Sequence, residues 1–494
     1  NQPCYVVKIK DEIGFTNQFN ASEQIKIVTA LPPLTPQQLG DRNFLEFHKV
    51  KYPYTAGAMA GGIASEELVI AFGKAGILSS FGAGGLSRER VKSAIKQIQQ
   101  VLPNGLYAFN LLHNFSEPEM ERDMVDLYLQ YGVKTVEASA FLDITPNIVY
   151  YRAAGLSLNS NNQIEINNKV IAKVSRREVA SKFMAPAPIK MLQELVEKGL
   201  ISELQKELAQ KVPIADDITV ESDSGGHTDN RPLLCLLPAI FELRDEIQRK
   251  YRYQNPVRIG AAGGISTPQS ALAAFMMGAA YIVTGSINQS CVEARTSDYT
   301  KKLLAQAQMT DVIMAPAADM FEMGVKLQVL KRGTLFGMRS QKLYELYQRY
   351  DSIDDIPKPE REKLEKQIFK QSLDEIWSIT QTYLAQRNPE KLERANKNAK
   401  LKMALIFRWY LGLSSRWSNT GEKGREIDYQ IWCGPAMGAF NNWVKDTYLA
   451  QPQNRNVVDI AQHILTGAAY LYRLQTLKLQ GVELPASFAY YHPS

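Results

Sequence analysis

Residues 218–231 read ITVESDSGGHTDNR. A short apolar, β-prone run (ITV) passes into a polar loop, in which Gly225 and Gly226 directly precede His227. Glycine lets a backbone adopt a positive φ or approach a ligand closely. α/β folds place their chemistry where a strand hands over to a loop. We therefore interpret this stretch as a buried strand followed by a candidate functional loop.

Strands and helices alternate on both sides of this loop. Amphipathic stretches, several of them opened by capping residues, separate β-prone runs. The eight candidate strands are 55–59, 77–81, 107–111, 135–138, 170–174, 218–221, 257–261 and 281–284. Alternation of this kind implies parallel strands joined by right-handed crossovers. The sequence therefore predicts an α/β fold with a TIM (β/α)8 barrel, in preference to an open doubly wound sheet.

The barrel is predicted to occupy residues 54–295, with a helical insertion at about 186–211 between strands five and six. Residues 1–53 contain LPPLTP and predict an irregular N-terminal extension, because proline removes donors and restricts its neighbours. Residues 296–494 show almost entirely helical periodicity. They predict a large α-helical C-terminal domain that covers the barrel mouth and the substrate.

Composition excludes several classes of function. The formal net charge is only +6, and no dense Lys/Arg tract accompanies it, so a nucleic-acid partner is not expected. The four cysteines lie far apart without a CxxC pair, which favours a reducing cytoplasm and argues against a zinc site. No apolar run reaches the ~18 residues that a membrane span needs. The sequence predicts a cytoplasmic protein with no metal and no membrane partner.

Two glycine-containing loops fall where barrels often bind phosphate, after strands seven and eight. Gly263 and Gly264 follow the seventh strand and lead into a helix, and Gly285 and Ser286 follow the eighth. Backbone N–H groups from both loops, a hydroxyl and a helix N-terminus would bind a phosphate dianion. Each glycine could simply serve a tight turn, but two such loops at both expected positions favour phosphate. The pattern is not GxGxxG after a first strand, so no Rossmann domain is indicated.

Other strand ends carry small or polar residues. Ala58 and Met59 lie in a small-residue segment after strand one, which would let a flat ring rest against the backbone. Asn110 ends strand three and could donate and accept hydrogen bonds at a ring edge. Lys173 ends strand five and could stabilise negative charge, and Glu137 follows strand four. Singly, each is more simply a solvated strand end or a buried ion pair; together they favour a cofactor site.

His227 is the candidate catalytic residue. A lone histidine is usually structural, but this one follows Gly225 and Gly226 on the loop after strand six, so a catalytic or substrate-orienting role is favoured. His113, just after strand three, is its one rival.

Several longer motifs resemble a known family. The barrel segments GAMAGGIASEELVIAFGKAGILSSFGAGG, VIAKVSRREVA, ESDSGGHTDNRP, AAGGIS and VTGSINQS resemble the FMN-dependent nitronate monooxygenase and enoyl reductase barrels. Segments 315–352, FRWYLGLSSRW and DYQIWCGPAMGAFNNWV resemble the PfaD-type enoyl reductases of polyketide and polyunsaturated fatty acid synthases. The resemblance covers roughly residues 55–473. In this chain Asp223 and Ser224 precede the glycine pair, where nitronate monooxygenase-like sequences often have a small apolar residue.

The resemblance implies an enoyl reductase that acts in trans on α,β-unsaturated thioesters tethered to an acyl carrier protein. NADPH would reduce an FMN cofactor, whose hydride would pass to the β-carbon of the substrate. The FMN phosphate would lie on the glycine loops after strands seven and eight. The FMN ring would lie near Ala58, Met59, Asn110 and Lys173, with the Gly225–Gly226–His227 segment beside it.

Two roles stay open for His227: protonation of the α-carbon and orientation of the thioester. The alternative activity is that of a flavin oxygenase that oxidises nitronates on the same barrel. A third hypothesis is a non-catalytic docking module of an assembly line. Homodimerisation, substrate chain length and stereochemistry are left open.

Overall fold

The computed structural model describes residues 2–10, 12–18, 25–103, 105–113 and 118–494. The chain divides into two compact units. The first comprises Asn1–Ser222, Pro232–Ala294 and Trp443–Ser494, and the second comprises Asp223–Arg231 and Arg295–Asn442. Residues 443–494 thus cluster with the barrel, whereas the sequence prediction placed them in the helical domain.

The first unit is built around a closed barrel of eight parallel strands. Each strand pairs with the next one along the chain, and the eighth pairs with the first. The strands are Tyr54–Ala56, Leu78–Phe81, Ala108–Leu112, Thr135–Ser139, Lys169–Val174, Asp217–Glu221, Arg258–Ala262 and Ile282–Thr284. The predicted (β/α)8 barrel is confirmed, with boundaries that differ from the predicted ones by one or a few residues.

Helices surround the barrel and complete the first unit. Several begin at a capping hydroxyl, as at Ser65, whose side chain accepts from the N–H of Leu68. The α-helices of this unit are Arg42–His48, Glu66–Lys74, Arg88–Val101, Pro118–Gln130, Pro146–Ala154, Arg177–Met184, Ile189–Glu197, Glu203–Ala209, Leu233–Tyr251, Pro268–Met276, Ser286–Gln289 and Val457–Leu479. A hairpin formed by Leu156–Leu158 and Ile164–Ile166 lies between the fourth and fifth strands.

Helix Val457–Leu479 packs against helix Pro268–Met276 of the barrel. Gly467 lies so close to Pro268 that an added Cβ would come within 2.5 Å of the proline Cγ. The last long helix of the chain is therefore part of the barrel's outer layer.

Buried ion pairs fix the N-terminal end of the barrel. Asp217, the first residue of strand six, accepts hydrogen bonds from Arg258 at 2.6 and 2.8 Å and lies 2.7 Å from the His48 ring. Beside it, Arg152 and Asp216 form a bidentate pair with two contacts of 2.8 Å. Burial alone would raise the pKa of Asp217, but Arg258 and His48 outweigh it and lower the pKa to about 2. This end of a barrel serves stability, and the network is assigned that role.

The residues before the barrel include a sheet that the sequence prediction missed. Three antiparallel strands form it: Cys4–Ile9, Glu12–Thr16 and Ile25–Leu31. Val6 and Leu31 pack against Leu477 and Val482, so the sheet is held by the end of the chain. The β-branched run IKIVTAL outweighs the nearby prolines, which follow the third strand instead of interrupting it. The predicted extension also includes residues 1, 11 and 19–24, which lie outside the described residues.

The second unit is mainly helical. Its α-helices are Asp298–Ala305, Phe336–Arg349, Lys358–Leu364, Leu373–Arg387, Pro389–Lys397 and Ala399–Thr420, and the division between the units falls within Ala436–Val444. It also contains an antiparallel sheet of Gly226–His227, Lys326–Leu330 and Val312–Pro316. The almost entirely helical prediction is therefore wrong for residues 312–330, whose two short strands lie between helices.

A buried carboxylate organises the core of the second unit. Asp428 is fully buried and accepts hydrogen bonds from Arg339, from Arg425 at 3.2 Å and from the Tyr410 hydroxyl at 2.9 Å. Burial and the neighbouring carboxylate raise the pKa of Tyr410. A charge without water needs such partners, so this cluster holds the surrounding helices in one arrangement.

Single turns of 3-10 helix connect these elements. They are Pro36–Gln38, Phe321–Met323, Ile353–Asp355, Glu426–Asp428, Tyr448–Ala450, Pro452–Asn454 and Ala486–Phe488, and a π-helical turn covers Glu365–Phe369. Within the described residues, no helix combines the length and the hydrophobicity that crossing a membrane requires.

Candidate functional site

Polar side chains gather at the C-terminal ends of the barrel strands, as in active sites of this fold. Lys173 of strand five lies between two carboxylates: its Nζ is 3.2 Å from Glu221 Oε1 and 3.6 Å from Glu137 Oε1. Strand register explains the meeting, because Lys173 pairs with Thr219, two residues before Glu221 on the same face of strand six.

Lys173 does not present an uncompensated positive charge. Burial alone would lower its pKa, but the carboxylates of Glu221 and Glu137 outweigh burial and raise it. The lysine therefore stays protonated, and the three groups together carry a net charge of −1 when both carboxylates are ionised. The sequence prediction included the cation but missed Glu221.

Glu137 also holds the loop after strand one. Its carboxylate accepts from the backbone N–H of Ala58 at 3.1 and 3.3 Å, and its side chain is only 6% exposed. The neighbouring Met59 carbonyl lies against Gly82, where a Cβ would come within 1.7 Å of the oxygen. The small residues of this segment thus permit close packing of two loops that follow barrel strands. This structural role is separate from the predicted contact with a flat cofactor ring.

Asn110 is buried, and its amide nitrogen is already occupied. Nδ2 donates to the Glu137 carbonyl and to Ser139 Oγ, both at 3.0 Å. An amide has two N–H donors, so Oδ1 is the group left for a ligand. The sequence prediction expected this amide both to donate and to accept hydrogen bonds from a ligand. In the structure only its oxygen is left, as an acceptor.

The two glycines after strand seven both have a left-handed backbone conformation. Gly263 and Gly264 have φ of 84° and 71°, and an added Cβ at Gly263 would lie 2.5 Å from Ser222 Oγ. In the described part of the chain, no carbonyl or side chain accepts from the N–H groups of Gly263, Gly264 or Gly285. Successive N–H groups of this kind form a concave site for an anion.

The helix that follows contributes less than the sequence predicted. Ser270 Oγ accepts from the N–H groups of Ser266 and Thr267, both at 3.0 Å, so these donors are used within the chain. The buried Ser266 hydroxyl, by contrast, has no hydrogen-bond partner in the described residues. An unsatisfied buried hydroxyl beside unpaired N–H groups fits a phosphate site. Ser286 begins the short helix Ser286–Gln289 after strand eight.

His227 belongs to the second unit. It lies on the two-residue strand Gly226–His227, opposite Leu327, and its Nε2 is 3.1 Å from Asp319 Oδ1. The two side chains are 41% and 48% exposed. Burial acts to raise the pKa of Asp319, but its hydrogen bond to His227 outweighs this and lowers it.

The glycines beside His227 have separate structural reasons. Gly226 has a φ of 81°, in the region that favours glycine. At Gly225 a Cβ would lie 2.8 Å from the Cys433 backbone nitrogen, so only glycine fits without a shift.

The polar neighbours of His227 close its loop. Asp223 Oδ1 accepts from Asn230 Nδ2 and from Gln328 Nε2, each at 2.8 Å, and the Asp223 N–H donates to the Arg231 carbonyl at 3.0 Å. Asp223, which precedes the glycine pair where related sequences often have a small apolar residue, therefore stabilises the loop through these hydrogen bonds. Asp319, by contrast, is a hydrogen-bond partner of His227. The rival His113 lies 2.7 Å from Glu121, in the first unit.

The structure divides the predicted site residues between the two units. The first unit holds Ala58, Met59, Asn110, Lys173, Gly263, Gly264, Gly285 and Ser286, and the second holds Gly225, Gly226 and His227. The sequence missed Glu221, Asp319 and Gln328. Glu221 could have been predicted, since it is a charged residue at the end of the sixth strand. Among the described residues, no group of three His, Cys, Asp or Glu side chains is arranged to hold a metal ion.

A closed (β/α)8 barrel with charged side chains and glycine loops at the C-terminal ends of its strands is typical of a barrel enzyme. A family model described as nitronate monooxygenase matches residues 42–345, and the chain belongs to this family of oxidoreductases. A second model, described as the inserted helical domain of [acyl-carrier-protein] S-malonyltransferase, matches residues 350–429.

The relatives are named for the biosynthesis of polyunsaturated fatty acids and polyketides. The chain is 51% identical over 457 residues to a polyunsaturated fatty acid synthase component of Thraustochytrium sp., covering 91% of this chain and 30% of that protein. It is 48% identical over 448 residues to the polyketide biosynthesis protein PksE of Bacillus subtilis, covering 90% of this chain and 58% of that protein. The chain thus spans less than two thirds of either relative.

A solved structure matches over its whole length. The enoyl reductase domain of MlnA, from the macrolactin biosynthesis cluster of Bacillus amyloliquefaciens, superposes with a TM-score of 0.85 at 38% identity. The match covers 90% of this chain and 100% of that one. The resemblance to enoyl reductases of polyketide and polyunsaturated fatty acid synthases is confirmed.

Proposed function

We propose that this chain is an FMN-dependent enoyl reductase that uses NADPH and acts in trans on α,β-unsaturated thioesters tethered to an acyl carrier protein. The observation that carries the proposal is the match to the whole of an enoyl reductase domain, which covers 90% of this chain. The names of the relatives support a role in polyketide or polyunsaturated fatty acid synthesis.

The first unit offers groups that fit FMN. The unpaired N–H groups of Gly263, Gly264 and Gly285 suit its phosphate, and the Asn110 amide oxygen suits an N–H of its ring. Ala58, Met59, Ser286 and Lys173 complete the proposed set. FMN bound there would take a hydride from NADPH and deliver it to the β-carbon of the substrate.

The chain itself must stabilise the developing enolate oxygen and supply a proton to the α-carbon. We assign one of these roles to His227, in the loop that also contains Gly225 and Gly226. Its Nε2 contact with Asp319, at 3.1 Å, orients the imidazole. A protonated imidazole can donate a hydrogen bond to a thioester oxygen or give up its proton, so either role is chemically available.

The carrier-protein part of the proposal rests on the second unit. Residues 350–429 match a helical domain named from an enzyme that acts on acyl carrier protein. A cytoplasmic location, and assembly as a homodimer, remain predictions beside it.

Absorption spectroscopy tests the proposal directly. Purified protein should show a flavin spectrum, which NADPH bleaches under anaerobic conditions and an enoyl thioester on an acyl carrier protein then restores. A protein that neither carries nor takes up FMN would contradict the proposal.

The name of the family model favours one alternative, a flavin oxygenase acting on nitronates. That activity would consume oxygen with a nitronate and without NADPH. Rapid flavin reduction by NADPH, followed by reoxidation by the enoyl thioester in the absence of oxygen, would count against it.

A further inference from the structure

The charge cluster at the barrel mouth has an excess of negative charge. Lys173 is 14% exposed and has carboxylates on both sides, at 3.2 Å from Glu221 and 3.6 Å from Glu137. One lysine cannot compensate two carboxylates, so the cluster offers a net charge of −1 to a ligand placed against it.

The two carboxylates are not equivalent. Glu137 is buried and also accepts from the N–H of Ala58, so its charge is partly used by the backbone and its removal would disturb the loop after strand one. Glu221 ends strand six, at the end of the barrel where ligands bind in this fold, and its side chain is 24% exposed. The charge of Glu221 can therefore be removed while the hydrogen bonds between Glu137 and Ala58 stay in place.

A flavin ring gains negative charge when it is reduced, and nearby charge sets how readily that happens. A lysine alone would favour the reduced form. A lysine compensated by two carboxylates would not favour the reduced form, and the excess negative charge would disfavour that form.

We propose that Glu221 is a positioning residue that holds Lys173 and lowers the reduction potential of FMN bound in the barrel, so that the reduced cofactor is a stronger hydride donor. This inference rests on the proposed function. The raised pKa of Lys173 agrees with it, because the neighbouring carboxylates of Glu221 and Glu137 outweigh the effect of burial on the lysine.

The test is the midpoint potential of FMN in the intact protein, measured by anaerobic reductive titration against a reference dye. Glu221→Gln keeps the shape and removes one charge, and it should raise the potential. The substitution should increase the affinity for reduced FMN relative to that for oxidised FMN at least tenfold, which corresponds to a rise of about 30 mV for a two-electron couple. Lys173→Met should shift the potential in the opposite direction.

Glu203→Gln is the matched control, because it removes the same charge from an exposed side chain on helix Glu203–Ala209. The control should leave the potential unchanged. An unchanged or lowered potential in Glu221→Gln would overturn the inference.

Loss of FMN from Glu221→Gln would also overturn the inference, since removing a negative charge should tighten binding of an anionic cofactor. Absence of FMN from the wild-type protein, by contrast, would refute the proposed function itself. The two failures are thereby distinguished.

Discussion

The close approach of two barrel loops gives a sharp prediction for Gly263→Ala. Gly263 has a φ of 84°, and an added Cβ would lie 2.5 Å from Ser222 Oγ and 2.8 Å from the Ser222 carbonyl carbon and oxygen. The backbone atoms cannot rotate away as a flexible side chain would. Gly264→Ala is a matched control, because its φ is 71° and a Cβ there would meet nothing within 4 Å.

The expected magnitudes follow from these two contacts. A left-handed conformation costs an L-residue about 1–2 kcal/mol, and both variants bear this cost. Forcing extra volume into a packed site adds about 1–3 kcal/mol, and this applies to Gly263→Ala alone. We therefore expect the free energy of unfolding to fall by ~2–5 kcal/mol in Gly263→Ala and by ~1–2 kcal/mol in Gly264→Ala.

Urea unfolding of the two variants, followed by circular dichroism, measures the difference. Repeating it with FMN at about 100 times its dissociation constant should stabilise the wild type by ~2.7 kcal/mol, and both variants should lose part of this gain because their N–H groups are displaced. Equal stability of the two variants without FMN would refute the argument from close packing.

Four further predictions concern the buried charges, the histidine and its carboxylate partner. Stability should decline as pH falls from about 4 toward 2, because the pKa of Asp217 is lowered from 3.8 to about 2 by folding, and Asp217→Asn should remove that decline in urea titrations. Asp428→Ala should cost ~3–5 kcal/mol by leaving its buried arginine partners uncompensated, and hydrogen exchange should rise in the helical unit. His227→Ala should lower kcat for enoyl reduction by ~10²–10⁴ while flavin reduction by NADPH stays intact. Asp319→Asn should give a smaller loss with a shifted pH profile, and equal rates in wild type and His227→Ala would remove the histidine from the mechanism.

The sequence predicted the barrel well because its signals are local. Each strand is a short apolar run ahead of a capped helix, and parallel strands then follow the chain order without exception. The N-terminal sheet was missed because the prolines directly after Ile25–Leu31 give a stronger local signal than the β-branched residues of that strand. The strands at 312–330 were missed because they lie in a region whose periodicity is otherwise helical, without the alternation of strands and helices that marks the barrel.

The sequence predicted which residue types lie in the candidate site, but not their hydrogen-bond and ion-pair partners. Asp319 lies 92 residues from His227, and no local pattern joins them. The compensation of Lys173 depends on the register between strands five and six, which pairs it with Thr219 and so places Glu221 two residues beyond its partner. Sequence position predicted polar side chains at the strand ends; which of them form ion pairs, and with what net charge, required the structure.

The barrel unit is assembled from three separate lengths of chain, and this bears on its synthesis. All eight strands have been translated by residue 284, yet helix Val457–Leu479, which packs against Pro268–Met276, follows residues 295–442. At about 5–20 residues per second, a ribosome needs roughly 7–30 s to translate that intervening stretch. During this interval the nascent barrel exposes the surface that the late helix covers, where chaperones can bind. A gene shortened to end at residue 442 would make that exposure permanent.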